Sequence, residues 1–357
     1  MQLESVKALK QELLHEIVIP VSHSARIREA SLRNISISEI AREILFETNF
    51  ATAARNPDIF PGVQRSIALG IAPYRDEFRL AVRVQRPALL NGALVKHIIK
   101  EAKGEVDIRV IGRVDKRTIR SLPPWHQANT RPLLIGSSVG HINITAGTLG
   151  AFVSRAGRPY ILSNNHVLAD EDRCNEGDPI LQRGRFDGGM HPQDQVATLR
   201  YWVSLNRKGA NRVDAALAEI DDGVGWEPTL LRSVAGNTNS HLAGIGPDFL
   251  DEGVTVYKIG RTTGPTEGRV VAFDFDELVV NFDTGNLRFD GQIEIQGVGD
   301  HPFSDGGDSG SLIVDSDMQA IALLFAGSDT GGANGQGLTY ATPIRSVLEE
   351  LQADLLS

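Results

Sequence analysis

One cysteine, Cys174, occurs in 357 residues, so no intramolecular disulfide can hold this chain together. Its stability must rest on a packed core, and such a chain suits a reducing compartment. No run approaches the ~20 apolar residues needed to span a bilayer. The first twelve residues, Met1 to Glu12, lack the basic start, apolar stretch and small-residue cleavage site of a secretion signal. The expectation is a cytoplasmic location with no membrane partner. His191, His241 and His301 are scattered without metal-ligand spacing, and the glycines near position 331 lack the lysine of a phosphate loop. Neither a metal nor any other cofactor is expected. Cys174 lies in a polar turn with no redox motif around it.

Hydrophobic residues make up 41% and charged residues 23%, ordinary values for a water-exposed globular chain. The net charge of −9 is unevenly spread. Residues 1–130 hold 20 Lys/Arg against 14 Asp/Glu, whereas residues 131–357 hold 16 against 31. Either the basic part docks on the acidic part or on a partner, or the two are separate surfaces. The basic residues are dispersed and no aromatic-basic motif accompanies them, so nucleic acid is not an expected partner.

Apolar residues Leu3, Val6, Leu9, Leu13 and Leu14 recur at helical spacing, and a second helix is expected from about Ser36 through Leu45. Residues 1–62 are thus read as an N-terminal helical segment, closed by the break at Phe60-Pro61-Gly62. Residues 63–125 read as a small α+β domain. Strands are expected at 67–71, at 79–85 with its apolar/polar alternation, and at 106–111, with a helix over 95–101. Pro123-Pro124 begins a linker. From about Leu133 short strands alternate with Gly-rich turns, the pattern of an all-β sandwich or barrel. The stretch from Gly223 to Gly253 has few strand signals and is read as a crossing between two halves. The peptidase-like part is assigned to 131–357, with barrel 1 at about 133–222, barrel 2 at about 254–343 and an amphipathic helix at about 344–353.

Three local motifs carry chemistry. Gly306-Gly307-Asp308-Ser309-Gly310-Ser311 sets a serine in a tight glycine-rich turn. Upstream lie Leu162-Ser163-Asn164-Asn165-His166-Val167-Leu168 and Asn211-Arg212-Val213-Asp214-Ala215-Ala216-Leu217. Serine is a weak nucleophile at neutral pH and needs a base within hydrogen-bond reach, itself oriented by an acceptor. His166 suits the base, since imidazole titrates near neutrality. Asp214 suits the orienting acceptor. Asp221 and Asp222 are rivals for that role, but they sit in a turn-like Asp-Asp-Gly. The order His, Asp, Ser, with gaps of 48 and 95 residues, follows the triad template.

These contexts resemble the chymotrypsin/trypsin-like serine peptidases over about residues 133–350, and most nearly their bacterial-type intracellular members. The segments Val256 to Gly264 and Gly337 to Pro343 are similar to that group as well. The resemblance implies an all-β double β-barrel peptidase domain, here with an N-terminal helical and α+β extension. It also implies a His166-Asp214-Ser309 triad in the cleft between the barrels and an oxyanion hole formed by the N–H groups of Gly307 and Ser309. The expected activity is that of a serine endopeptidase acting through an acyl-enzyme on protein or peptide substrates, with partner proteins cleaved under regulation. Secreted trypsins pair the Asp before the nucleophile with a newly cut N-terminus. Arg131 to Gly136 only faintly echoes such a cut site, so Asp308 is expected to bond to its own turn.

Counting six residues back from Ser309 reaches Phe303, where basic-specific relatives carry Asp. Phe303 and Ser304 are therefore read as substrate-binding residues of a pocket for small or apolar side chains, with Asp305 as the remaining acidic candidate. Leu324-Phe325-Ala326, running on to Gly327, is expected to pair with the substrate backbone by strand addition. The alternative is a catalytically silent binding module on the same fold, which usually betrays itself by losing one of these residues. Residues 1–130 match no chemistry; they are read as an inhibitory prosegment, a recognition domain for a regulatory partner, or a packing extension.

Overall fold

The computed structural model describes residues 1–14, 67–112, 114–115, 124–247 and 253–357. The helix expected over 36–45 lies outside the described residues. Helix α1 spans Leu3–Leu13 and buries Val6 and Leu13, the face on which the helical spacing put them. Four strands follow in the N-terminal part: β1 (Ile67–Tyr74), β2 (Glu77–Val84), β3 (Val106–Val110) and β4 (Val114–Asp115), with helix α2 (Ala93–Glu101) between β2 and β3. β1 and β2 form a hairpin, and β3 joins β2 in parallel through the α2 crossover.

The first β lobe contains β5 (Ser138–His141), β6 (Ala151–Arg155), β7 (Arg158–Ser163), β8 (Pro179–Leu181), β9 (Gln195–Trp202) and β10 (Ala216–Ile220). They pair in the order β6-β7-β10-β9-β8-β5, a curled sheet. The one-turn helix α3 (Asn165–Leu168) leaves the end of β7. The second lobe contains β11 (Thr255–Gly260), β12 (Gly264–Asp276), β13 (Leu278–Phe282), β14 (Gly285–Phe289), β15 (Gln292–Gly297), β16 (Leu312–Asp315), β17 (Gln319–Ser328) and β18 (Leu338–Pro343). Six of them close a ring, β11-β12-β15-β18-β17-β16 and back to β11. The long strands β12 and β17 run past the ring, and their projecting ends keep an edge for other partners. This is the double β-barrel architecture that the resemblance implies. Helix α4 (Ile344–Leu351) leaves the second barrel and returns Ile344, Val347, Leu348 and Leu351 to the core of the first lobe.

The N-terminal sheet is joined to the second barrel edge to edge. β12 is long enough to serve both: its first half pairs with β11, and its far end pairs with β1, Leu69 opposite Asp276 and Ile71 opposite Phe273. Gly70 permits the approach, because a Cβ there would lie 2.5 Å from the Phe275 ring. Leu69, Ile71, Leu80 and Val82 share one core with Val270, Ile293, Ile295 and Leu324. Charge follows the same seam. Arg83 is fully buried against Glu294 at 2.7 Å, and Tyr340 donates to the same carboxylate at 3.1 Å. Lys10, also buried, meets Asp274 at 2.7 Å and Asp276 at 3.1 Å. Basic residues of the N-terminal part thus rest on acidic residues of the barrel. None of the described helices is long and apolar enough to cross a membrane.

Candidate active site

His166 sits where β7 ends and the chain turns into α3. The two asparagines before it brace that turn. Asn164 Nδ2 donates to the Asp214 carbonyl at 2.7 Å, while Asn165 Nδ2 donates to Asp172 Oδ1 at 2.7 Å and to the Val203 carbonyl at 2.9 Å. Asp214, immediately before β10, is fully buried. Its Oδ2 lies 2.5 Å from His166 Nδ1, and its Oδ1 accepts the His166 backbone N–H at 3.3 Å. A carboxylate held this way fixes the ring plane and leaves Nε2 as the outward nitrogen. Nε2 has no hydrogen-bond partner among the described residues. The Phe282 ring of β13 stands edge-on to the imidazole, centroids 5.7 Å apart. Asp221 is elsewhere: it accepts from Gln195 and Thr198, so it does not compete for His166.

Ser309 occupies a turn of the second lobe that is tied to the first. Thr148 N–H donates to the Ser309 carbonyl at 2.8 Å, Thr148 Oγ1 to the Gly307 carbonyl at 2.9 Å, and Ser163 Oγ to the Thr148 carbonyl at 2.7 Å. Gly147 is wedged between the neighbour of His166 and the Ser309 turn: a Cβ there would lie 2.5 Å from Val167 Cγ2 and 3.0 Å from the Ser309 carbonyl. The Ser309 hydroxyl donates to the Phe325 carbonyl at 3.4 Å, a weak bond. That carbonyl is available because β17 bulges between Leu324 and Ala326.

The N–H groups of Gly307 and Ser309 donate to no described residue. The carbonyl on the other side of the Gly306–Gly307 peptide accepts from Thr262 Oγ1. Since N–H and C=O of a trans peptide point in opposite directions, that bond aims the Gly307 N–H away from Thr262. Gly307 itself has φ +95°, a conformation glycine adopts at little cost.

Asp308 does bond within its turn, accepting the Asp305 N–H at 3.0 Å, but it reaches further than expected. It also accepts from the N–H groups of Thr262 at 2.7 Å and Thr263 at 3.1 Å, and from Thr263 Oγ1 at 2.6 Å. Lys258 Nζ lies 3.2 Å away, and both side chains are fully buried. Burial alone would push the Asp308 carboxyl up; Lys258 and these donors hold it below the usual carboxylate range. The buried Asp308 carboxylate is thus answered from within the chain. Leu133 is buried in parallel pairing with Trp226, so the 131–136 segment is part of the lobe.

The specificity residues sit differently from the expectation. Phe303 faces the second-barrel core, where its ring lies 5.5 Å from Lys258 Nζ, and only 1% of its surface is exposed. Counting along the chain locates the residue but not its face, and Phe303 is buried in the barrel core. Ser304 is buried on Thr339 Oγ1 at 2.7 Å, and Leu324 faces the core shared with the N-terminal sheet. Asp305 caps its own turn, its Oδ1 accepting the Gly306 N–H at 2.7 Å. Phe325 and Ala326, both brought to one side by the bulge, join a cluster with Phe282 and Phe289. Sequence reasoning missed Lys258, Thr148, Thr262 and Phe282. The Val256 to Gly264 segment contains two of them, and its one signal was a lysine set among apolar strand residues.

No protein-family model matches the chain, and no curated protein matches it in sequence. Among solved structures it is similar to protease A of Thermobifida fusca, at 17% identity over 63% of this chain and 98% of that one, with a TM-score of 0.44. It is also similar to a Nocardiopsis protease, at 16% identity over 63% and 98%, with a TM-score of 0.45. A Cellulomonas bogoriensis chymotrypsin gives 17% identity over 62% and 97%, with a TM-score of 0.43.

Proposed function

We propose that the chain is a serine endopeptidase. The observation that carries the proposal is the buried Asp214 carboxylate 2.5 Å from His166 Nδ1, with Nε2 unpaired among the described residues and Gly147 wedged between Val167 and the Ser309 carbonyl. In the reaction, Ser309 Oγ attacks the substrate carbonyl and passes its proton to His166 Nε2. The negative charge that develops on the carbonyl oxygen is met by the N–H groups of Gly307 and Ser309. His166 then returns the proton to the leaving amine, and water hydrolyses the acyl-enzyme by the same route. Substrates are extended protein segments, cleaved under restraint rather than in bulk, in the reducing compartment that a single cysteine suits.

A silent binding module would also show one feature of this site: Ser309 Oγ bonds to Phe325, not to His166. Catalytic hydrogen bonds often tighten only when substrate is bound, so this geometry fits both readings. A fluorophosphonate probe separates them. The wild-type protein is expected to label at Ser309 and the Ser309→Ala variant not at all, with peptide hydrolysis lower by up to ~10⁶. Unlabelled wild type would establish the binding module, and persistent labelling of Ser309→Ala would place the nucleophile elsewhere.

A further inference from the structure

The strand expected to receive substrate is already paired. β4 runs antiparallel to the end of β17, with Val114 opposite Ser328 and Asp115 opposite Gly327. Its other edge meets β13, Asp115 opposite Asn281. Gly112, at φ +67°, turns the chain out of β3 and into this position. Gly327 is two residues beyond Phe325, whose carbonyl takes the Ser309 hydroxyl. Read from Val114 to Asp115, the chain advances along β17 toward Phe325, and so toward the nucleophile.

Side chains fill the site along with the backbone. Ile111 and Val114 are buried in one cluster with Phe282, Phe289, Phe325 and Ala326. Phe282 is the ring that stands on His166. An extended peptide adding to β17 would need the same hydrogen-bond edge and the same apolar bed.

We propose that β4 is a built-in occupant of the substrate cleft. It fills the subsites on the N-terminal side of the scissile bond, and an extended peptide is cleaved only after displacing it. The proposal rests on Ser309 being the nucleophile. It also names a substrate class: an extended segment presenting an aliphatic side chain where Val114 lies, opposite Ser328. The apparent affinity for such a peptide is lowered by the fraction of molecules in which β4 is still docked.

The test uses the full-length chain with Val114→Cys, Ser328→Cys and Cys174→Ser. Directly opposed antiparallel residues lie within the Cα separation a disulfide accepts. Comparing oxidised and reduced forms of one variant removes folding as a confounder. Oxidation is expected to lower kcat/KM for an extended aliphatic peptide by at least about tenfold, restored by dithiothreitol. Fluorophosphonate, too small to need these subsites, is expected to label both forms at rates within about twofold. Separately, Val114→Asp is expected to raise kcat/KM, because a charge is disfavoured in that apolar cluster. Equal peptide turnover in the oxidised and reduced forms, with labelling intact, would overturn the proposal alone. Absence of labelling in both would overturn the nucleophile assignment and this proposal with it.

Discussion

Replacing Lys258 with Met removes the cation buried against Asp308 while keeping an unbranched stem of similar length beside Phe303. Breaking a buried ion pair by deleting one partner costs about 3–5 kcal/mol. Asp308 would retain four donors, from Thr262, Thr263 twice and Asp305, so the lower end applies. A loss of about 3 kcal/mol corresponds to a fall in Tm of roughly 4 °C for a chain of 357 residues, at an unfolding entropy of about 2.1 cal/mol/K per residue. The same turn aims the Gly307 N–H. Loosening it is expected to lower kcat by on the order of 10², the cost of losing one oxyanion donor. The pH dependence has a definite sign. Asp308 has a depressed folded-state value, so its stabilisation is complete above the unfolded carboxylate value of about 4 and is lost as pH falls through the folded value. Without Lys258 the folded value rises, and the acid limb of the stability curve moves toward neutrality. Thermal and urea denaturation between pH 3 and pH 7, with peptide turnover at pH 7, measure all three effects. An unchanged Tm, kcat and acid midpoint in Lys258→Met would refute the role given to this pair.

Arg83→Met is expected to destabilise the protein by about 3–5 kcal/mol in urea titrations, because among the described residues Glu294 is then left buried with the Tyr340 hydroxyl alone to answer it. Adding Glu294→Leu should recover part of that loss; a double variant no more stable than the single would mean the charge was not the cause. Gly310→Ala should abolish fluorophosphonate labelling or prevent folding. Its φ is +92°, and the new Cβ would fall 2.1 Å from Ser163 Oγ and 2.3 Å from the Thr148 carbonyl. Soluble, normally labelled Gly310→Ala would show that this turn yields more easily than its packing implies.

Signals confined to a few neighbouring residues were readable in the chain. The apolar spacing of residues 3–14 became α1, the alternation at 79–85 became β2, and the amphipathic end became α4. His166 and Asp214, 48 residues apart, were named from order and local context and lie in hydrogen-bond contact. What escaped depends on pairings between distant segments. A lysine in a strand reads as a solvated side chain, and only the facing Asp308 makes Lys258 a buried one. Phe303 was located by counting, but the face it presents is set by barrel closure. The pairing of β4 with β17 joins positions 115 and 327 and leaves no mark in either segment alone. The basic surplus before residue 130 did have a local trace, and Arg83 and Lys10 give it a structural meaning at the seam with the barrel.

The edge-to-edge union of β1 with β12 has a consequence for synthesis. Leu69 waits for Asp276, 207 residues later, which at about 5–20 residues per second is roughly 10–40 s of translation. During that interval the nascent hairpin carries an unpaired edge that a chaperone could cover. The timing also fixes an order of events. Val114 and Asp115 leave the ribosome well before Ser309 does, so the strand that occupies the cleft is already made when the hydroxyl arrives.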